Sequence, residues 1–556
     1  MRIILNILIH VCKLLIIIGL YSCSTKKDTK NYKIFRYNQN GGLSSLDPAF
    51  AKNQPNIWVV NQLYNGLVEL NSNLKITPSL AERWQVSDDG KEYIFYLKKG
   101  VKFHNNEIFE NSLGREVTAH DFVFSFKRII DSSTASPGAW IFNDKVKRNL
   151  NGSIADSCFY ALDNYTFVIK LEKAFPAFLQ MLAMPYAYVV PKEAIDKYGK
   201  DFRVHPVGTG PFVFKLWDEG NALILNKNQN YWKKDSSCNA LPYLDIVHLS
   251  FLSDRNIAFM TFRQGKLDMI SGLDENSRDV IFTYNGSIKK EFSDQFDVQK
   301  IKYLNTEFLA FHLDPVNYEN KNHPFLNKKV RQALNYSINR EQLVQFILNN
   351  VGMPGNKGIA PPFLYSNANA IGGYTYNPTK AYELLKESGY LGKKEMNELK
   401  LYTISTFPYK EIAEFLQREW AKIGIKIQIE INTVPTHFEM ATKGRMPLFR
   451  ASWLGDYPEP ENYLTLFYSK NFSPSGPNRT HFKNSQYDNL YELCLSEQDE
   501  SKRFELYKKM EGIVLEEAPV IVLWYDEVVR LTQKNVKGLE ANAMNNLVLE
   551  RVDIVK

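Results

Sequence analysis

The sequence predicts a mixed α/β protein, with α+β as the neighbouring alternative, and three observations carry that class. The first is a helical stripe over Lys410–Ile423, where Ile412, Ala413, Leu416 and Trp420 share one face and Gly424 ends the run. The second follows at once: Ile425, Ile427, Ile429 and Ile431 alternate with Lys426, Gln428 and Glu430, the pattern of a half-buried strand. A helix leading into such a strand is one half of an α/β layer. The third is that apolar strand-like runs and helical stripes interleave along all 556 residues, a chain too long for one core, so two or three domains are expected. There is no short internal repeat and no low-complexity tract.

The elements follow in chain order. Lys33–Tyr37 reads as a strand stopped by Asn40-Gly41-Gly42. Ile57, Val60, Leu63, Tyr64 and Leu67 form a helical stripe that ends near Asn65-Gly66. Ser87-Asp88-Asp89-Gly90 is a turn leading into the strand Tyr93–Leu97. Thr118, with Asp121 three residues on, caps a helix that runs to about Ile130 and buries Phe122, Phe126 and Ile129. Tyr165–Leu171 is another strand, and Gly208-Thr209-Gly210-Pro211 a tight turn into Phe212–Leu216. Helices are predicted over Lys329–Leu348, broken by Gly352, over Thr379–Ser388, stopped by Gly389, and over Glu500–Leu515. Ile521–Tyr525 is a final buried strand.

Composition narrows the function. The 68 basic and 61 acidic residues give a charge of +7, which falls to +5 without the two bases of residues 1–22. A nucleic-acid binder would carry a concentrated basic surface, so none is expected as a partner. An apolar fraction of 44% with 23% charged residues is that of a globular protein. Thirty-one Tyr and 35 Phe suit large cores or aromatic-walled pockets. Five Cys in this length exclude a disulfide scaffold, and the widely spaced Cys158, Cys238 and Cys494 are expected to be buried, unpaired thiols.

Residues 1–22 read as an export segment: Arg2 precedes a mostly apolar run from Ile3 to Leu20, and the polar stretch Ser24–Lys30 follows. A signal-anchor helix is the alternative, since the run approaches a bilayer-spanning length. Leu20-Tyr21-Ser22-Cys23 resembles a bacterial lipobox, with Tyr21 where that motif carries a small residue. That resemblance implies acylation of Cys23, a stable bilayer anchor and a linker over residues 23–32. The remaining chain, which has no second stretch of transmembrane length, would be a soluble body in the cell envelope.

Chemistry is sparse. The nine His show no HExxH and no pair at metal-ligand spacing, so neither a metal nor a cofactor is expected. No G-x-S-x-G elbow or Walker A loop is present, and no enzymatic constellation emerges. One segment stands out. Phe449–Pro460 concentrates Arg450, Trp453, Gly455, Asp456 and Tyr457 at a strand-to-loop transition. From residue types alone this is either a stiffened turn or a ligand site.

The order of motifs resembles the family 5 extracellular solute-binding proteins, the dipeptide- and oligopeptide-binding components of ABC importers. The matching pieces are Leu46-Asp47-Pro48, Leu63–Leu67, Pro78–Trp84, Ser87–Lys91, Gly100–His104, Val117–Val123, Val207–Phe212, Asn230-Tyr231-Trp232, Val330–Arg340, Ala381–Gly389 and the Trp453–Pro460 segment. Together they cover nearly all of the chain after the export segment.

The resemblance implies a type II (cluster C) periplasmic binding fold, with two lobes, an extra domain and a ligand cleft between the lobes. Domain I would comprise residues 33–72, 186–300 and 525–556, domain II residues 73–185 and domain III residues 301–524. The hinge would lie near Lys300–Thr306 and Tyr525, and closure would trap the ligand. The resemblance also implies a monomeric, non-enzymatic receptor that hands peptides to a membrane permease. Asp456 would pair with the peptide's α-ammonium, Trp453 and Tyr457 would wall the groove, Gly455 between them would belong to the same ligand-binding segment, and Asn305 would line the cleft. Arg450 would either meet a ligand carboxylate through its bidentate fork or form a structural ion pair. Thr209, Gly210 and Arg331 match family motifs too and read as structural. A non-peptide or murein-peptide ligand on the same fold stays open, and a secreted hydrolase is the third alternative.

Overall fold

A computed structural model describes residues 32–555, apart from residues 274, 284, 319 and 320. The export segment 1–22, Cys23 and nearly all of the linker lie outside the described residues. Among the described residues no helix is long and apolar enough to cross a membrane.

One 11-stranded mixed sheet serves two lobes. At its centre two long antiparallel strands, Phe296–Phe311 and Val520–Gln533, lie side by side. Met269–Ser271, Ile34–Asn38, Ile246–Ser250, Ala222–Lys227 and Phe212–Asp218 extend the sheet on one side. Leu448–Leu454, Leu399–Ile404 and Ile427–Asn432 extend it on the other, and the short strand Met353–Pro354 pairs with Val520–Gln533 as the eleventh. The long strands pair from Phe296↔Gln533 to Lys302↔Glu527, slip, and resume at Thr306↔Tyr525. A slip of this kind bends the strand and frees backbone groups that need other partners. Here the Leu304 N–H donates to the Ala543 carbonyl at 3.0 Å, and the Leu304 carbonyl accepts from the Gly455 N–H at 2.7 Å.

Side-chain alternation sorts the cores. One continuous core joins Phe35 and Leu249 of the large sheet to Phe95, Phe122 and Phe167 around a second, four-stranded antiparallel sheet. That sheet runs in the order Ala81–Val86, Glu92–Leu97, Thr166–Lys170, Phe159–Asp163. Leu547, Leu549 and Val552 pack into the same core from the C-terminal stretch. In the other lobe Leu309 and Phe311 point to a core with Leu334, Leu401 and Trp420. Their neighbours Phe308 and Ala310 point to a separate core with Phe449, Tyr463 and Tyr487, as the two-residue period of a strand requires.

The mixed class is what the chain adopts, and most elements fall where the patterning puts them. The Thr118 N–H donates to Asp121 Oδ2 at 2.8 Å and opens the helix Ala119–Ile130. Gly389 and Gly424 take positive φ just past the helices Pro378–Glu387 and Tyr409–Ala421. Gly208 and Gly210 leave no room for a Cβ against the Leu63 backbone, and Arg331 donates to the Phe325, Glu517 and Ala518 carbonyls. Three expectations are corrected. The single helix over Lys329–Leu348 is two, Lys328–Tyr336 and Arg340–Phe346, because Asn339 caps a fresh start by accepting from the Gln342 N–H. The final strand is far longer than Ile521–Tyr525, since it continues through Asp526 and Glu527 into the first lobe. Cys158 and Cys494 are buried thiols, but Cys238 is exposed, at a positive-φ position in the Asp235–Asn239 turn.

Candidate ligand-binding site

The strand Leu448–Leu454 pairs with Phe296–Phe311 so that Leu309 faces Arg450, Thr306 faces Trp453 and Asn305 faces Leu454. Its end therefore coincides with the slip in the long strands, and the next residues, Gly455 and Asp456, emerge there. The loop crosses towards the other lobe: Tyr457 packs into the core that holds Phe178, Leu182 and Tyr186.

Two buried side chains shape the loop. Asn462 Oδ1 accepts from both the Asp456 N–H, at 3.2 Å, and Trp453 Nε1, at 3.0 Å. The Tyr463 hydroxyl donates to the Leu304 carbonyl at 2.7 Å and lies against Gly455, where a Cβ would meet it at 2.8 Å. A glycine is needed there for close approach rather than for a special backbone angle.

Each neighbouring acid but one is held by at least two side-chain hydrogen-bond donors. Buried Glu459 accepts from Arg503 Nε at 3.0 Å and from the Tyr507 hydroxyl at 2.9 Å. Buried Glu461 accepts from the Tyr457 hydroxyl at 2.6 Å and from the Tyr491 hydroxyl, and lies within electrostatic reach of Lys145. Asp526 holds the amide of Asn305 at 3.2 Å and the Trp524 indole at 3.4 Å. Asp456 has no ion-pair partner among the described residues. Its carboxyl is open to solvent between the lobes, yet protein hems it in on most sides. That desolvation pushes its pKa up to about 6, with only the Asn462 side chain pulling the other way. From the first lobe Tyr186 comes within its electrostatic reach.

Arg450 points to the opposite face of its strand from Trp453. Its guanidinium holds Glu307 at 2.7 Å, the Tyr409 hydroxyl at 2.7 Å and Ser452 Oγ at 3.1 Å, with Tyr409's ring 4.0 Å below. The pair is nearly buried, with side-chain exposures of 12% and 4%. Burial and nearby Asp526 push the Glu307 carboxyl upward, and Arg450 opposes them. Of the two roles its sequence leaves open, Arg450 here occupies the ion pair. Asn305 Nδ2 also bonds Glu307, at 3.1 Å, which ties the strand residue beside the slip to this group.

Comparison with known proteins places this architecture. Residues 75–475 match the model of the bacterial extracellular solute-binding proteins, family 5. The chain belongs to this family. The dipeptide-binding protein DppE of Bacillus subtilis is 28% identical over 95% of this chain and 93% of its own. Heme-binding protein A of Haemophilus influenzae is 31% identical over 86% of this chain and 84% of its own. The solved structure of DppA from Helicobacter pylori in complex with the peptide STSA superposes with a TM-score of 0.72 at 26% identity, covering 95% of this chain and 99% of that one. As a family 5 protein the chain is an extracellular or periplasmic solute-binding protein with the type II two-lobed fold, in a family of binders rather than enzymes.

In this family 5 chain the fold brings Trp453, Gly455 and Asp456 together at the strand end, sends Tyr457 into the core of the other lobe, and leaves the side chains of Asn305 and Arg450 gathered around Glu307 on the other face of the sheet. Sequence reasoning missed Asn462, Tyr463 and Glu307. Asn462 and Tyr463 follow Pro460 closely, and a polar residue just after a Pro-stiffened turn is a signal that could have raised Asn462. Glu307 carried none, because its partner is supplied by strand pairing across most of a lobe.

Proposed function

We propose that this protein is the peptide-binding receptor of an ABC importer, and that Asp456 holds the α-ammonium of the ligand between the lobes. The observation that carries the reading is the contrast among the acids: each neighbouring one is held by at least two side-chain donors, whereas Asp456 is desolvated with only the Asn462 side chain beside it and no ion-pair partner among the described residues. A buried or half-buried carboxylate is costly unless a cation joins it, so a free amine that desolvates with it is a favoured partner. Trp453 and Tyr457 wall the groove, and backbone hydrogen bonding of an extended ligand supplies affinity that tolerates different side chains. Waters bridge where side-chain pockets are wider than the residue they hold. Arg450 acts by position, fixing Glu307 and Tyr409 beside the slip. Lobe closure turns about that slip, and the closed receptor delivers its load to a membrane permease, tethered by an acylated Cys23.

Relatives named for dipeptides, for di- and tripeptides and for a bound peptide support the ligand class. A second reading, a non-peptide solute such as heme, rests on the similarity to heme-binding protein A. Mass spectrometry of material released from the purified protein by denaturation separates the two. Peptides with free N-termini are expected; recovery of a porphyrin, or of N-blocked ligands alone, would overturn the peptide reading.

A further inference from the structure

At the end of the strand Phe296–Phe311 farthest from the slip, three metal-ligating side chains from two distant stretches converge. His312 directly follows the strand, Asp314 caps the turn Pro315–Asn317, and His481 comes from the stretch after Ser469–Asn471. Their ligand atoms lie within 4.8 Å of one another. At about 3.3 Å per strand residue this is roughly 20 Å from Asn305, so it lies outside the candidate ligand site.

Each group has one atom committed in a way that aims another into the shared space. His312 Nδ1 lies 3.1 Å from the Arg479 carbonyl, a contact that requires a proton on Nδ1 and leaves Nε2 a lone pair. His481 Nε2 lies 3.0 Å from the Ser473 carbonyl and 3.2 Å from its hydroxyl, so in the neutral ring the proton belongs on Nε2 and Nδ1 offers the lone pair. Asp314 Oδ1 accepts from the Val316 N–H at 2.9 Å, so Oδ2 is free. That oxygen faces His481 Nδ1 across 3.6 Å. With the neutral ring the two atoms are both acceptors, an arrangement that a cation between them satisfies. Imidazoles that donate their other N–H to a backbone carbonyl are oriented as metal ligands usually are.

The rings are also fixed by packing. Phe472 stacks on His481 at 4.6 Å, the two His rings are 4.7 Å apart, and a Cβ on Gly444 would strike the His312 ring at 2.7 Å. Asp314, with 34% of its side chain exposed, leaves a path for an ion and room for water. Asn317 Nδ2, 2.6 Å from His312 Nε2, is the group an ion has to displace.

We propose that His312 Nε2, Asp314 Oδ2 and His481 Nδ1 bind a divalent transition-metal ion of the zinc type, with water completing the shell. Two imidazoles and a carboxylate suit such ions, and an open position is normal for three protein ligands. Bond lengths of about 2.0–2.2 Å require the three atoms to draw together by roughly 1 Å, a movement to which the half-buried Asp314 side chain contributes. The ion pins the stretch from Phe472 to His481 onto the strand end. Local motif spacing could not reveal the site, because strand pairing and loop packing bring its two histidines together.

The test is titration of the full-length, chelator-stripped protein with Zn²⁺ by calorimetry and with Co²⁺ by visible absorption. One site per chain is expected above the weak background of surface histidines. Asp314→Asn, which keeps the side chain's shape, and His481→Ala should each weaken Zn²⁺ at least tenfold and abolish the Co²⁺ band. Asn317→Ala should bind at least as tightly as the wild type, and exposed His120→Ala should change nothing. Zn²⁺ should also raise the melting temperature of the wild type and not of Asp314→Asn. A wild type without such a site, or affinities unchanged in both ligand variants, would identify the His481–Asp314 contact as a proton-mediated pair and overturn the proposal.

Discussion

A Cβ on Gly455 would sit 2.8 Å from the Tyr463 hydroxyl, which itself secures the Leu304 carbonyl at 2.7 Å. Gly455→Ala is therefore an overpacking change, expected to cost about 1–3 kcal/mol in denaturant unfolding and to weaken ligand binding. Unchanged stability would mean that Tyr463 moves freely. One residue on, the role proposed for Asp456 carries a stability cost. Its pKa is raised from 3.8 to about 6 by desolvation, so the folded state disfavours the charged form. The sign follows from linkage: the unfolded carboxyl ionises first, so stability falls as pH rises from the ordinary carboxylate range through about 6. Unliganded Asp456→Asn should match the wild type below pH 4 and exceed it above pH 6 in thermal melts. Equal melting at every pH would show that cleft water solvates the carboxylate fully.

At the scale of elements, Arg450 and Glu307 form a diagonal pair across two strands, under the helix Tyr409–Ala421. Removing one partner of a buried pair leaves the other uncompensated, so Arg450→Ala is expected to cost about 3–5 kcal/mol. Thermal or urea unfolding measures it, and a loss near zero would mean that Glu307 takes up a proton without penalty. Local elements were the legible part of the sequence. Gly389 and Gly424 stop helices, Thr118 with Asp121 starts one, and each signal acts within a few residues. What failed to show was set at longer range. Asp526 and Glu527 interrupt an apolar run and hid the second half of a 14-residue strand, whose polar residues are accommodated by Asn305, Trp524 and the Gly352 N–H. Asn339 split a helix because its side chain cap outweighed an otherwise continuous pattern. In the site, Asp456 and Trp453 could be picked out by motif and Asn462 from its place after the Pro-stiffened turn, but Glu307 only by folding.

At the scale of the molecule, three facts converge on one place. The long strands slip between Lys302 and Thr306, the strand bearing Trp453 ends there, and Asp456 emerges beside the slip while Tyr457 packs into the opposite lobe. Contacts between the lobes reinforce this: Lys75 lies 4.0 Å from Glu500, and Gln498 lies against Gly90. On the proposed reading, a ligand held at Asp456 would sit at the pivot, where a few contacts bias the whole closure. A thermodynamic cycle tests the proposed amine clamp most directly. A dipeptide and its N-acetylated form are titrated by calorimetry into the wild type and into Asp456→Asn, above pH 6 so that the carboxylate is ionised. In the wild type acetylation should cost about 2–5 kcal/mol, the usual loss when one member of a desolvated charge pair is removed. In Asp456→Asn the two ligands should bind alike. An equal acetylation penalty in both proteins would contradict the clamp and place the amine site elsewhere.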